Sequence, residues 1–274
     1  MDVPLFRPGS DPGSSFVDLL RAVDHPRASH HLGEGMVDAG HATTVLALRF
    51  ADGVVMAGDR RATAGHLIAH HTIRKVFPAD RHSGVAIAGA AGPAVEMVRL
   101  FQLQLEHYEK VEGSQLSLEG KANQLGNMVR SNLPAAMQGL AVVPLFAGYD
   151  TRRAAGRLYQ FDVTGGRYEE RDYATSGSGS LHAGTVLKLG FDEGQAQDSA
   201  IELAVEALYY AAEEDSATGG PDPVRGIYPV VATIGADGFQ ERSTDEVAAA
   251  FERLQSRLRV RNGNNDDHTE GRMT

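Results

Sequence analysis

Thr43-Thr44-Val45-Leu46-Ala47-Leu48-Arg49-Phe50-Ala51-Asp52-Gly53-Val54-Val55-Met56-Ala57-Gly58-Asp59-Arg60-Arg61 is the stretch whose reading decides the fold. Two runs of aliphatic and β-branched residues flank Asp52-Gly53, a dipeptide suited to a tight hairpin turn. The first folded element is therefore predicted to be a β-hairpin opening at Thr43. Two features at its ends are unusual: a threonine pair starts the first strand, and Gly58-Asp59-Arg60-Arg61 closes the second.

Downstream, Gly84-Val85-Ala86-Ile87-Ala88-Gly89 reads as a third strand, and Pro93 then sits where a first helical turn tolerates proline. Val95, Val98, Leu100, Phe101, Leu103 and Leu105 continue at helical spacing, and a second long helix is expected from about Ser117 to Met137. Strands are expected at Val142–Tyr149 and Gly156–Val163, helices across Ser199–Ala212, a last strand near Tyr228–Ile234 and a last helix near Thr244–Leu258. Strands, two helices, strands and helices again argue for helices packed outside two stacked sheets rather than a strict β-α alternation. Residues 261–274 are polar and glycine-containing, and read as a disordered tail.

Upstream, Pro4, Pro8, Pro12 and Pro26 interrupt residues 1–42, which read as an appendage holding at most one short amphipathic helix after Ser14-Ser15. The chain has 274 residues, no cysteine and a formal charge of −10. The missing thiols exclude a disulfide framework, a cysteine nucleophile and cysteine zinc sites. The negative balance disfavours nucleic acid or an anionic membrane as the main partner. No apolar run suffices to cross a bilayer and the start lacks a signal-peptide pattern, so a cytoplasmic protein is expected. His66, His70 and His71 show no convincing metal-ligand spacing, and neither glycine-rich run carries the lysine of a phosphate loop. No metal or cofactor is expected.

Thr43-Thr44-Val45 through Gly58-Asp59-Arg60-Arg61, followed by Ile73-Arg74-Lys75-Val76, closely resembles the β subunits of proteasomes, within the N-terminal nucleophile hydrolases. Gly177-Ser178-Gly179-Ser180 and Asp215-Ser216-Ala217-Thr218-Gly219-Gly220 stand where that family has supporting active-site residues. Leu105-Glu106-His107-Tyr108-Glu109-Lys110, Ala136-Met137-Gln138-Gly139 and Gly220-Pro221-Asp222-Pro223-Val224-Arg225-Gly226 look like the actinobacterial version. The resemblance implies an α+β fold, a four-layer αββα sandwich of two antiparallel sheets flanked by helices. It divides the chain into a propeptide (1–42), a threonine protease domain (43–260) and the polar tail (261–274).

It also implies the chemistry. A threonine hydroxyl is a poor nucleophile until a base takes its proton, and an N-terminal threonine carries that base in its own α-amine, whose pKa lies at about 7.7–8.0. Cleavage between Ala42 and Thr43 would thus convert a zymogen into an endopeptidase. Lys75 is expected to favour the alkoxide-like state, Asp59 to hold Lys75, the Gly89 N–H to form an oxyanion hole, and Ser178, Asp215 and Thr218 to orient the amine and a water. Autocatalytic cleavage is expected, although glycine usually precedes the threonine in that family and Ala42 restricts the turn that self-attack needs. Ala62, Ile73, Ile87, Ala91 and Val95 match the family's substrate-pocket wall; all are uncharged, which implies a chymotrypsin-like preference. The implied partners are proteasome α subunits and other β subunits in an α7β7β7α7 particle, an ATP-dependent unfoldase ring, and unfolded or modifier-tagged proteins.

Three blander readings compete. A Thr-Thr pair is common in strands, and a surface lysine and a solvated turn aspartate are the usual fates of those residue types. A bacterial two-tiered threonine protease shares the threonine start and a Gly-Asp element, but is normally shorter and lacks a long leader. An inactive ring subunit usually lacks the nucleophile, the aspartate or the lysine, and all three are present here.

Overall fold

The computed structural model describes residues 43–270, with side chains for 43–260. Residues 1–42, the expected propeptide with Ala42, and residues 271–274 lie outside the described residues. In chain order the strands are β1 (Thr44–Phe50), β2 (Gly53–Gly58), β3 (Ala62–Ala64), β4 (Leu67–His70), β5 (Val76–Asp80) and β6 (Ser83–Gly89), followed by helices α1 (Ala91–Glu112), α2 (Leu118–Ser131) and α3 (Leu133–Ala136). Strands β7 (Val142–Asp150), β8 (Ala155–Phe161), β9 (Arg167–Glu170) and β10 (Tyr173–Gly177) come next, then α4 (Ser180–Gly190), α5 (Gln197–Glu214), β11 (Val230–Gly235), β12 (Gly238–Glu241) and α6 (Thr244–Glu270).

Two five-stranded antiparallel sheets result, ordered β10-β1-β2-β11-β12 and β5-β6-β7-β8-β9, with β3-β4 as a separate ribbon. The period-2 alternation of each strand assigns its two faces to different layers. From β1 and β2, Val45, Ala47, Val54 and Met56 meet Ala86, Ala88, Leu145, Ala147 and Leu158 of the second sheet, forming the central core. The other face of the same hairpin, with Leu46, Leu48, Val55 and Ala57, packs under Leu187, Ala204, Leu208 and Phe251 of α4, α5 and α6. On the far side, Val85, Ile87, Phe146, Tyr159 and Phe161 face Val98, Phe101, Ala122, Leu125 and Val129 of α1 and α2. The fold is the expected α+β, four-layer αββα sandwich.

The hairpin differs from the reading in one detail. Phe50 pairs directly with Gly53, so the turn residues are Ala51 and Asp52. Gly53 serves close packing instead: a Cβ there would lie 2.2 Å from the Ile234 carbonyl oxygen of β11. The helix expected to reach Met137 divides into α2 and α3, because Pro134 has no N–H to continue the α2 ladder. The last helix continues beyond Leu258 to Glu270, where the reading began a loose tail at 261; no proline interrupts that run. Strands β3, β4, β5, β9, β10 and β12 and helix α4 were not anticipated, since short strands and a helix entered through Gly177-Ser178-Gly179 carry little periodic signal.

Phe146 is completely buried and meets Phe101 edge-on, with centroids 5.9 Å apart. Phe146→Ala is expected to lower unfolding free energy by about 3–5 kcal/mol in urea titration; a loss below 1 kcal/mol would contradict this packing.

Candidate active site

Asp59 follows β2 directly across from Thr44. Its N–H donates to the Thr44 carbonyl at 3.1 Å, and its Oδ1 accepts the Thr44 N–H at 2.9 Å. Lys75, just before β5, brings Nζ to within 2.5 Å of the same Oδ1, with both side chains at most 3% exposed. Oδ2 accepts the backbone N–H groups of Arg61 at 2.9 Å and Gly219 at 2.8 Å. Four donors around one buried carboxylate satisfy its lone pairs. Burial pulls the Lys75 pKa below the usual lysine range, while Asp59 opposes that shift by attraction and hydrogen bonding.

A second carboxylate organises the other side. Asp215 ends α5, and its Oδ2 accepts the hydroxyls of Ser178 and, at 2.6 Å, Thr218. Oδ1 accepts the Ala217 N–H at 3.2 Å. Burial pushes the Asp215 pKa upward, yet the Ser178, Thr218 and Ala217 hydrogen bonds and the nearby His182 outweigh it and hold the carboxyl below its ordinary value. Thr218 also lies 2.5 Å, oxygen to oxygen, from the Thr44 hydroxyl.

Thr43 sits between these groups, 6% exposed, and its carbonyl accepts the Ser178 N–H at 3.0 Å. This approach explains Gly177, which has φ +101° and whose Cβ would lie 1.6 Å from the Thr43 oxygen. Gly89 ends β6 with φ +108°, and a Cβ there would lie 2.1 Å from the Ala141 oxygen. A hydrogen bond of 2.9 Å from the Ile87 N–H to the Lys75 carbonyl joins β6 to the lysine. Thr43, Asp59, Lys75, Ser178, Asp215 and Thr218 are thus linked by contacts, with Gly89 attached through β6.

The expected pocket residues are more dispersed. Ala62 lies in β3, Ile73 donates its N–H to the Arg60 carbonyl at 3.0 Å, and Ala91 opens α1. Ile87 is only 5% exposed and, with Val95, joins the core beneath α1. Among the described residues no group of three or more His, Asp or Glu side chains could hold a metal ion, and no helix is long and apolar enough to cross a membrane.

Sequence reasoning missed Thr44, Arg61, Gly219 and His182. Thr44 occupies the β1 face that also carries Leu46 and Leu48, and is fully buried. A polar residue at an inward strand position needs a partner, and that was the available signal. Arg61 bridges the two loops through Nη1 to the Ser216 carbonyl at 2.7 Å; its place in the Gly58-Asp59-Arg60-Arg61 run was the available signal, though the run does not say which loop it would reach.

An antiparallel αββα sandwich whose first strand opens on a threonine beside a buried lysine–aspartate pair defines an N-terminal nucleophile hydrolase fold. The family model described as "Proteasome subunit" matches residues 39–224. A "Proteasome subunit beta" of Acidimicrobium ferrooxidans is 61% identical over 240 residues, covering 87% of this chain and 88% of that protein. A "Proteasome subunit beta" of Streptomyces griseus is 56% identical over 263 residues, covering 93% of this chain and 92% of that one. The chain belongs to the proteasome β-subunit family.

Asp59→Asn keeps the shape of the Asp59 side chain but leaves Lys75 buried without a counter-charge, so a loss of about 3–5 kcal/mol is expected in urea titration; unchanged stability would contradict the pairing. Asp215 gives a pH expectation. Because its folded pKa is depressed, its stabilising contribution is complete above the unfolded pKa and is lost as pH falls through the folded value. Asp215→Asn should therefore flatten the acid side of the melting-temperature profile below the usual carboxylate range, and an unaltered acid side would refute that linkage.

Proposed function

We propose that the chain is the catalytic β subunit of a 20S proteasome core, a threonine endopeptidase that becomes active when the bond between Ala42 and Thr43 is cut. The supporting observation is the Asp59 carboxylate, which binds Lys75 and the Thr44 N–H through one oxygen, one residue from the proposed nucleophile.

In this reading the free Thr43 α-amine accepts the proton of its own hydroxyl as the oxygen attacks the substrate carbonyl. Lys75 stabilises the developing alkoxide, held in place by Asp59. Gly89 donates its N–H to the tetrahedral oxyanion. The protonated amine passes its proton to the leaving peptide nitrogen, giving an ester on Thr43 and a free peptide amine. Water, oriented by Ser178, Asp215 and Thr218, hydrolyses that ester and restores the threonine. A Lys75 pKa pulled down by burial suits a lysine that exchanges protons with such a network.

The precursor step uses the same site without the α-amine, which is still an amide there: a water held by the Ser178–Asp215–Thr218 group takes the Thr43 hydroxyl proton and passes it to the departing Thr43 nitrogen. The Thr43 hydroxyl adds to the Ala42 carbonyl, the peptide bond gives way to an ester with release of the Thr43 amine, and water cleaves the ester to leave the 1–42 propeptide. Ala62, Ile73, Ile87, Ala91 and Val95 give an uncharged pocket wall and a chymotrypsin-like preference. Assembly follows the β-subunit character: α subunits and further β subunits in an α7β7β7α7 cytoplasmic particle, fed with unfolded or modifier-tagged proteins by an ATP-driven ring. Such confinement suits a protease of broad preference.

The test is the N-terminal sequence and peptidase activity of the assembled particle beside those of Thr43→Ala. Wild type should begin at Thr43 and carry an epoxyketone-type label there, while Thr43→Ala retains residues before position 43 and loses at least about a thousandfold in rate. A variant that also begins at residue 43 would exclude self-cleavage, and one that keeps its activity would exclude Thr43 as nucleophile. On a fluorogenic peptide panel, faster cleavage after acidic or basic residues than after apolar ones would overturn the pocket assignment.

A further inference from the structure

Thr44 is absent from the reaction scheme, yet it is held at three points. Its N–H donates to Asp59 Oδ1 at 2.9 Å, its carbonyl accepts the Asp59 N–H at 3.1 Å, and its buried hydroxyl accepts the Gly179 N–H at 3.0 Å. The same hydroxyl stands 2.5 Å from Thr218 Oγ1. Proton counting fixes the direction of that last bond. Thr218 has one hydroxyl hydrogen, and it points to Asp215 Oδ2 at 2.6 Å, where an ionised carboxylate can only accept. Thr44 must then donate to Thr218, giving an ordered run from the Gly179 N–H through the Thr44 and Thr218 hydroxyls to Asp215.

We infer that Thr44 is a positioning residue for the reaction: its hydroxyl and backbone couple the Lys75–Asp59 pair to the Asp215–Ser178–Thr218 group and set the Thr43 hydroxyl between them. This rests on the reading of Thr43 as nucleophile. Thr43 precedes the β1 ladder and is attached to the sheet through Thr44, so tilting Thr44 tilts the nucleophile. Thr44 also polarises Thr218 toward the carboxylate, and hydrogen bonds aligned in this way strengthen one another. A valine at this buried position would keep the backbone bonds to Asp59 but leave the Gly179 N–H and the Thr218 hydroxyl without their partner. Among the described residues, Lys75 and His182 also act electrostatically on Asp215.

The experiment compares Thr44→Val, which keeps volume and branching without a hydroxyl, with Thr44→Ser, which keeps the hydroxyl, in the assembled particle. Rates are taken per Thr43 titrated by an epoxyketone-type inhibitor, after mass spectrometry has verified a chain beginning at residue 43. Thr44→Val should lower kcat about 10- to 100-fold with KM changed less than about threefold, because displacement of reacting groups by a fraction of an ångström acts on the chemical step. Its acid limb of kcat/KM should move to higher pH, since Asp215 loses part of the hydrogen bonding that favours its anion. Thr44→Ser should return both readouts to near wild type.

Wild-type kcat and acid limb in Thr44→Val would overturn the proposal, and so would a serine variant as slow as the valine one. If the valine chain does not assemble, Thr44→Ala removes the same hydroxyl and is judged by the same two readouts against Thr44→Ser. Thr43→Ala, run in parallel, separates the two levels: activity there overturns the nucleophile assignment, whereas an inert Thr43→Ala beside a fully active Thr44→Val overturns only the role of Thr44.

Discussion

One carboxylate organises the candidate active site of this molecule. Asp59 is wholly buried and receives four donors from three separate parts of the chain: Thr44 at the start of β1, Arg61 and Lys75 in the connection between β2 and β5, and Gly219 in the loop after α5. An anion withdrawn from water persists only where its lone pairs are met, so each donor must arrive for the others to be held. That requirement ties the hairpin to the far loop and makes the local geometry a property of the whole sandwich. The Asp215 cluster repeats the principle with hydroxyl donors, and Thr44 touches both.

The layers supply the rigidity that such a site needs. The β1–β2 hairpin is buried on both faces, against the second sheet on one and α4, α5 and α6 on the other. Displacing the site-bearing strand therefore disturbs two cores at once. Close-packed interiors resist small shifts, and the polar groups at the end of the hairpin inherit that resistance.

Much of this was legible in the residues themselves. Thr44–Phe50 and Gly53–Gly58 announce strands because their branched residues alternate between two apolar faces, and α1, α5 and α6 announce themselves by helical spacing. The grouping of elements pointed to stacked sheets under helices. The Asp59–Lys75 partnership came from resemblance, since 16 positions along the chain separate the pair and no local rule brings them together. The least legible parts were those defined by non-local contacts. Gly53 resembles a turn residue but makes room for β11, Thr44 resembles an ordinary strand threonine, and α4 hides behind glycines that let the backbone approach Thr43. Ile87 shows both signals at once: its place in the family pattern suggests a pocket wall, and alternation along β6 packs it with the residues under α1.

The sheet ladder begins at Thr44, and the bond ahead of Thr43 lies outside it. A cut there, as proposed, removes no rung among the described strands. The cut would change chemical character at that atom: an amide nitrogen, planar and without basicity, becomes an amine able to hold a proton. In the proposed scheme the switch from precursor to protease is thus a change of connectivity at one atom, placed just ahead of the described sheets.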